Sequence, residues 1–309
     1  MSCLHKKNNI FRSNKGTSIV FFALCLTIVA AFAALVIDIG VLVMEKAKLS
    51  STIDSAVLAG AQELVANSVN AENVVNNYIA DNAESLKSVQ VSTDSSNRRI
   101  QVTGTKTIEN YFAKLLGKDS EDISSNATAV VENIKSLSGT RPLAVVQQTF
   151  SYGALYTLKD GAGDGTSGNY AAIALGGSGG SNYRDNLLNG YSGTLSVGDM
   201  IPTETGNIAG TTQTAINSLI QQCNHTPLCT YQYYNVHCPR IIFIPIVNTL
   251  TVNGKKYVKV LGFGTFFLEG TVDSGGHTDV IGRFITYTAR GEMSTDIGDY
   301  GTYGIKLIQ

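Results

Sequence analysis

Charged residues are scarce in this 309-residue chain. They make up 15% of the sequence, against about 25% in an average soluble domain, and no acidic residue precedes Asp38. The formal net charge is −1, and the part after residue 37 carries an acidic excess. The chain therefore lacks the basic surface that binds nucleic acid, and we expect no nucleic-acid partner.

A convincing catalytic motif is also missing. Residues 176–180 satisfy G-x-S-x-G around Ser178, but the polar run behind them is typical of a turn and not of the helix that a nucleophile elbow requires. Residues 163–168 match G-x-G-x-x-G without a helical pattern behind them. We therefore expect a protein that is not an enzyme. The alternative is a membrane-tethered hydrolase that uses Ser178 with one of three histidines, His225, His237 or His277.

One long stretch has no charge at all. Residues 17–37 would span about 30 Å as a helix, the thickness of the hydrocarbon core of a bilayer. The leader (1–16) is basic without an acidic residue, which is typical of a flank that stays in the cytoplasm. The sequence predicts one membrane-spanning helix over residues 17–44, with all later residues outside the cytoplasm. We assign four residues to this anchor: Thr17, Ile37, Asp38 and Gly40.

Two details of the anchor have alternatives. Asp38 falls near the outer boundary of the membrane, where we expect water to reach it; pairing with a partner is the other option. Ala31-Phe32-Ala33 fits a signal-peptidase site. Cleavage there would leave a mature N-terminus that is still apolar as far as Met44, so we favour an uncleaved anchor.

Apolar residues recur at helical spacing beyond the anchor. The membrane helix is therefore expected to continue as a stalk to about residue 66, with a length of about 75 Å. Its stripe needs a protein surface to cover it, either this chain's own downstream module or a partner. We assign four residues to this stalk interface: Leu49, Ile53, Val57 and Leu64.

The remaining sequence indicates an α+β protein. A helix, a hairpin, a second helix and a strand complete a small α+β module over residues 45–135, at 71–86, 88–105, 108–116 and 126–133. Residues 136–142 are the predicted linker. Residues 143–309 are rich in Gly, Tyr and Thr, which predicts a β-rich extracytoplasmic domain. Its predicted elements are a strand at 169–175, one helix at 211–222 and three stronger strands at 241–252, 256–269 and 279–289.

Three cysteines cluster with two histidines in this domain. Cys223, Cys229 and Cys238 follow the pattern C-x-H-x3-C-x7-H-C with His225 and His237. Thiolates and imidazoles suit zinc, but the paired C-x2-C or H-x3-H spacing of typical zinc sites is missing. Because thiols outside the cytoplasm are readily oxidised, we favour a disulfide here, then free thiols, and metal last. We predict no metal and no other cofactor.

The N-terminal region resembles a known family. Residues 15–16 (KG), 37–40 (IDIG), 45–49 (EKAKL) and 53–61 (IDSAVLAGA) are together similar to TadG-like proteins, of the TadE/TadG group of pilin-like proteins in bacterial tight-adherence (Flp) pilus systems. Two family features differ here. The Glu that follows the cleaved glycine by five residues is Phe21, and no Asp fits the D-x-S-x-S metal motif of some TadG-like proteins.

The resemblance implies a function. We expect a single-pass, pilin-like cell-surface protein, an accessory or minor non-catalytic component of a tight-adherence pilus apparatus. Its partners would be the membrane and other pilus-system or cell-surface proteins. A tethered module that binds a glycan or a protein is the further alternative.

Overall fold

The computed structural model describes residues 15–66, 68–82, 85–96, 98–160, 169–204, 208–250, 256–273 and 276–308. These residues form four α-helices: α1 (Lys15–Ala66), α2 (Ser68–Asn82), α3 (Gly180–Asn189) and α4 (Ala209–Gln221). They also form fourteen strands: β1 (Ser88–Asp94), β2 (Arg99–Glu109), β3 (Ser120–Ser138), β4 (Leu143–Val146), β5 (Leu155–Asp160), β6 (Asn169–Ala172), β7 (Thr194–Ser196), β8 (Met200–Pro202), β9 (Ile241–Val247), β10 (Tyr257–Asp273), β11 (Thr278–Ile285), β12 (Tyr287–Thr288), β13 (Glu292–Ser294) and β14 (Thr302–Ile308). Most of the basic leader and the motif at 163–168 lie outside the described residues.

Helix α1 is continuous over 52 residues, a length of about 78 Å. Among the described residues it is the one helix long and apolar enough to cross a membrane. In its N-terminal half, large side chains such as Phe21 and Phe32 are exposed. From Asp38 onward one face of the helix is buried against the rest of the chain.

The buried face of α1 packs with α2 against the first sheet. Their shared core holds Ile53 and Val57 of α1, Val75 of α2, and Ile100 and Val102 of β2. A side chain at Gly60 would place its Cβ 2.5 Å from a methyl carbon of Val75, so glycine is required where the two helices approach.

Strand β3 organises the first sheet, whose order is β1–β2–β3–β14–β12. It pairs antiparallel with β2 from Ser120 to Val130 and with β14 from Thr128 to Asn133. Its C-terminal end pairs with β13 and β7. Strands from the C-terminal part of the sequence therefore complete the sheet on which α1 rests.

The second sheet closes on itself. Its order is β11–β5–β6–β4–β9–β10–β8, and β10 also pairs with β11, so six strands form a ring. Its main core contains α3, α4 and the aromatic strand residues Phe266 and Phe284. A separate apolar cluster joins β3 to this sheet through Ile134, Leu137 and Phe263.

The α+β class, the long N-terminal helix and the β-rich C-terminal region are confirmed. The predicted helix at 108–116 is shorter: β2 runs to Glu109 because its ladder with β3 continues to Ser120, and a 3₁₀ turn covers only Ala113–Leu116. The turn ends, as predicted, at Gly117 in the left-handed region (φ 84°).

The C-terminal half contains elements that the pattern did not predict. Helix α3 occupies the segment expected to be a turn, and β14 is a seven-residue strand. Residues 136–138 of the predicted linker belong to β3, and Thr140 is fully buried and bridges to Phe243. The two predicted modules are thus joined through shared strands.

Substitution of Ile53 tests the packing of α1. Ile53 is fully buried and meets Gly104 of β2, where a Cβ would lie 2.6 Å from its Cδ1. We expect Ile53→Lys to lower the free energy of unfolding of the full chain in detergent by at least about 3 kcal/mol, because it buries an unpaired charge. Denaturant titration followed by circular dichroism measures the change.

Ser51→Lys is the matched control, since Ser51 is exposed on the same helix. We expect this change to stay within about 0.5 kcal/mol. Equal effects of the two substitutions would contradict the packing of α1 on the first sheet.

Candidate membrane-proximal site

The carboxylate of Asp38 joins α1 to the connection between β2 and β3. It accepts hydrogen bonds from three consecutive backbone N–H groups, those of Tyr111 (2.9 Å), Phe112 (3.0 Å) and Ala113 (2.6 Å). These N–H groups lie just before or at the start of the 3₁₀ turn Ala113–Leu116. Backbone N–H groups at this position have no carbonyl acceptor within the turn. The negative charge of Asp38 therefore holds the turn against the helix.

Asp38 differs from the expected solvated side chain, because only 4% of its surface is exposed. The pattern of the sequence marked it as the one charge in the apolar run. It gave no sign of the partner, since the three N–H groups lie more than 70 residues away along the chain.

The turn held by Asp38 carries an exposed apolar tip, which we define as Tyr111–Leu116. Leu115 is 84% exposed and Leu116 is 90% exposed. A cleft between the tip and α1 is lined by apolar side chains and by Asp38 at its end, namely Ala31, Ala34, Leu35, Asp38, Phe112, Ala113, Leu115 and Leu116. Ala31 lies about 10 Å nearer the N-terminal end of α1 than Asp38, so the tip runs alongside the predicted membrane span.

A group of ion pairs lies about two helical turns after Asp38 along α1. Glu45 accepts hydrogen bonds from the ammonium groups of Lys106 on β2 and Lys48, each at 2.8 Å. The bond from Lys106 is the main reason why the pKa of Glu45 lies below its usual value. The side chains of Glu45 and Lys106 are each 15% exposed, which makes this a second polar tie between α1 and the first sheet.

All four predicted stalk-interface residues lie in the core between α1 and the first sheet. Their exposed fractions are between 0% and 8%: Leu49, Ile53, Val57 and Leu64. This chain's own module covers the stripe. Of the predicted anchor residues, Ile37 and Gly40 are exposed, and the side chain of Thr17 lies outside the described set.

The cysteines form a compact group in the connection between α4 and β9. The Sγ atoms of Cys223 and Cys238 are 3.5 Å apart, and the Nδ1 atom of His225 lies 3.7 Å from Cys223 Sγ. Cys229 completes the group, whose four ligand-type atoms all lie within 4.8 Å of one another. His237 is exposed and is not one of the four. The three thiols are not bonded to one another, and the disulfide stays a prediction.

Burial raises the pKa of the Cys223 thiol, but hydrogen bonds from His225, from the backbone N–H of Cys229 and from the other two thiols outweigh this effect. The pKa of Cys223 falls to about 6 as a result. Burial keeps the pKa of Cys238 above its usual value. Cys223 is therefore the thiol of this pair that ionises first, and the thiolate is the form that binds metals or attacks electrophiles.

The segment around Ser178 departs from the sequence prediction. Ser178 is exposed, and α3 begins two residues after it. The glycines on either side, Gly177 and Gly179, have positive φ values of 134° and 121°. The helix that a nucleophile elbow needs is thus present, and the expected polar turn is wrong. His225, one of the three candidate bases, belongs to the cysteine group instead.

The tip was missed by sequence reasoning, although the sequence contains a signal. Residues 111–116 (YFAKLL) connect two strands, where Gly, Asn and Asp are the usual residues, and they are largely apolar. We interpreted this apolar run as part of a short helix over residues 108–116. The exposure of these residues depends on where along α1 the hydrogen bonds to Asp38 fix the turn.

Within the described residues, these features are one candidate membrane span, a joint at Asp38 between that helix and the first sheet, and an α+β body with a β-rich C-terminal region. Residues 16–63 match the family model described as putative Flp pilus-assembly TadE/G-like. The prediction of a TadE/TadG-like protein is confirmed by this segment, which contains Asp38 and most of the buried stripe. No curated protein matches the chain, and no solved structure matches it.

Removal of the Asp38 carboxylate tests the joint. We expect Asp38→Ala to increase amide hydrogen exchange at Tyr111, Phe112 and Ala113 by tenfold or more, because these three N–H groups lose their acceptor. Hydrogen exchange with mass spectrometry on the full chain in detergent measures this. Asp119→Ala, at an exposed carboxylate in the same connection, is the control and should leave these rates unchanged. Equal exchange in Asp38→Ala and the unsubstituted chain would contradict the joint.

Proposed function

We propose that this chain is a membrane-anchored, non-catalytic accessory or minor component of a tight-adherence (Flp-type) pilus apparatus. The observation that carries the proposal is the position of the family match. Residues 16–63 cover the exposed apolar half of α1, Asp38 and the buried stripe as far as Glu63. The matched segment is therefore the anchor together with the part that attaches the body to it.

The orientation follows from charge. Lys6, Lys7, Arg12 and Lys15 precede the span without an acidic residue, and a short basic flank of this kind is retained in the cytoplasm. The body after Met44 then lies outside the cytoplasm, with a single pass through the membrane. We propose no catalytic residue; the hydrolase that would use Ser178 is the rival, and the strand–turn–helix geometry around that serine is the observation in its favour.

A second stripe on α1 offers a contact for another membrane protein. Phe32, Val36, Ile39 and Val43 recur at three and four residues, and each is at least 51% exposed. The stripe runs along the predicted membrane span past Asp38 and ends at Val43, next to the end of that span at Met44. Its occupant in the proposal is the membrane helix of another pilus-system protein, because an exposed apolar stripe on a helix can pack against an apolar face of a second helix.

Photo-crosslinking tests this partner. We expect a photoreactive residue at Val43, introduced in intact cells, to give a discrete adduct with a pilus-system protein that mass spectrometry identifies. The same residue at Ser96, in the exposed turn between β1 and β2, is the control and should give several-fold less of that adduct.

Two outcomes would contradict the proposal. One is an equal yield of adducts at Val43 and Ser96, which would mean that the stripe is not a specific contact. The other is stoichiometric modification of Ser178 by a fluorophosphonate probe, because this would establish an activated serine and the hydrolase.

The tip provides a test of the anchor itself. The chain contains no tryptophan, so Leu116→Trp and Ser96→Trp each introduce a single fluorescent indole. In vesicles we expect the indole at 116 to be quenched by brominated lipids, because the tip lies beside the membrane span, and the indole at 96 to be quenched by aqueous iodide. Iodide quenching at both positions would show that the tip does not reach the bilayer.

A further inference from the structure

We propose that Cys223, His225, Cys229 and Cys238 bind a structural Zn²⁺ ion in a Cys₃His site. The proposal rests on the geometry of the four ligand atoms and on the loop that carries them. It concerns the β-rich body of the protein and does not depend on the pilus function.

Two of the distances between the ligand atoms match a tetrahedron around zinc, and all four atoms lie within 4.8 Å of one another. With Zn–S bonds of about 2.3 Å and a Zn–N bond of about 2.0 Å, tetrahedral angles separate two sulfurs by about 3.8 Å and a sulfur from a nitrogen by about 3.6 Å. The observed separations are 3.5 Å between the Sγ atoms of Cys223 and Cys238 and 3.7 Å between Cys223 Sγ and His225 Nδ1. A disulfide would need about 2.05 Å.

The number and type of ligands also favour zinc. A disulfide uses two thiols and would leave the third cysteine and His225 without a role in the same group. Zinc uses all four, and a site with four protein ligands is closed, so its role is structural and not catalytic. Three soft thiolates and one imidazole do not suit Mg²⁺ or Ca²⁺, which bind oxygen ligands.

Each sulfur already has a hydrogen-bond donor around it. The backbone N–H of Asn235 donates to Cys229 Sγ (3.4 Å). The N–H groups of Cys229 and Arg240 donate to the sulfurs of Cys223 and Cys238. Such donors orient and stabilise thiolates in metal sites. Three thiolates with one Zn²⁺ leave a net charge of −1, and the guanidinium of Arg240 lies close by, bonded to the carbonyl oxygen of Cys229 (2.9 Å).

The loop that carries the ligands is long and irregular. Residues 222–240 form no helix or strand, and connections longer than about 12–15 residues without such elements are uncommon unless they are functional. The buried residues of this stretch are the three cysteines, whereas the others are partly or fully exposed. They lie on Phe267 of β10 and Ile285 of β11, so a zinc ion would fasten the loop to the second sheet.

From the sequence we ranked metal binding last, because the spacing lacks the paired C-x2-C or H-x3-H motifs of typical zinc sites. The structure explains the difference: Cys223 follows the C-terminal end of α4, and Cys238 precedes β9. The two ends of the loop are brought together by regular elements, so no short C-x2-C turn is required.

Metal content and cobalt spectroscopy test the site. The full chain, purified in detergent under reducing conditions without chelator, should contain about one zinc per chain. Replacement of zinc by Co²⁺ should give the strong visible bands and the thiolate charge-transfer bands of tetrahedral S₃N coordination. A chelator that removes the metal should lower the melting temperature, because the loop loses its tie.

Two variants make the test specific. Cys229→Ser should lower zinc affinity by more than about tenfold, since even outer-shell partners are worth about 10–100-fold. His237→Ala is the matched control, because His237 is in the same loop but outside the group, and it should keep full zinc content. If Cys229→Ser fails to fold, the cobalt spectrum of the unsubstituted chain decides.

Three results would overturn the proposal. They are a disulfide between two of the three cysteines with no zinc bound after reduction, an octahedral cobalt spectrum, and equal loss of zinc in Cys229→Ser and His237→Ala. The first of these would support the disulfide that the sequence favoured.

Discussion

Helix α1 has different surroundings along its two halves, and the structure depends on how it changes from one to the other. The N-terminal half of α1 exposes large apolar side chains on every side, whereas its C-terminal half buries one face in a protein core. The change occurs at Asp38, where a carboxylate meets three backbone N–H groups. A charged side chain at this position would be energetically costly in lipid. In water, its interaction with an opposite charge would contribute little to stability. Because Asp38 accepts hydrogen bonds from N–H groups of the same chain, it avoids both disadvantages. These bonds also fix the position of the first sheet along α1.

Local pattern predicted the elements whose hydrogen bonds are local or whose side chains alternate. The length and apolar character of α1, the β1–β2 hairpin and strands β9, β10 and β11 follow from periodicity in the sequence. The bounds of α2 differ by a few residues from the prediction, which is usual because helix ends depend on their contacts.

Non-local contacts decided the rest. Ile108 and Glu109 have a helical pattern, but β3 takes up their backbone hydrogen bonds. The segment of α3 looks like a polar turn because few of its residues are apolar; of these, Tyr183 and Leu187 are buried in the core. The cysteine group has no sequence signature, since its members are assembled by α4 and β9. In each case the information lies in a partner that is distant along the chain.

The pairing of β14 with β3 has a consequence for the order of events during synthesis. Residues 302–308 supply a strand beside residues 128–133, so the sheet that supports α1 includes a segment made after the whole β-rich body. A chain threaded through a membrane from its N-terminal anchor would expose this edge of β3 throughout export. Loop closure over such a distance is slow, and an open strand edge pairs readily with other chains. Strand β12 follows β11 directly and pairs with β14, so formation of the second sheet would place a partner for β14 in the first sheet.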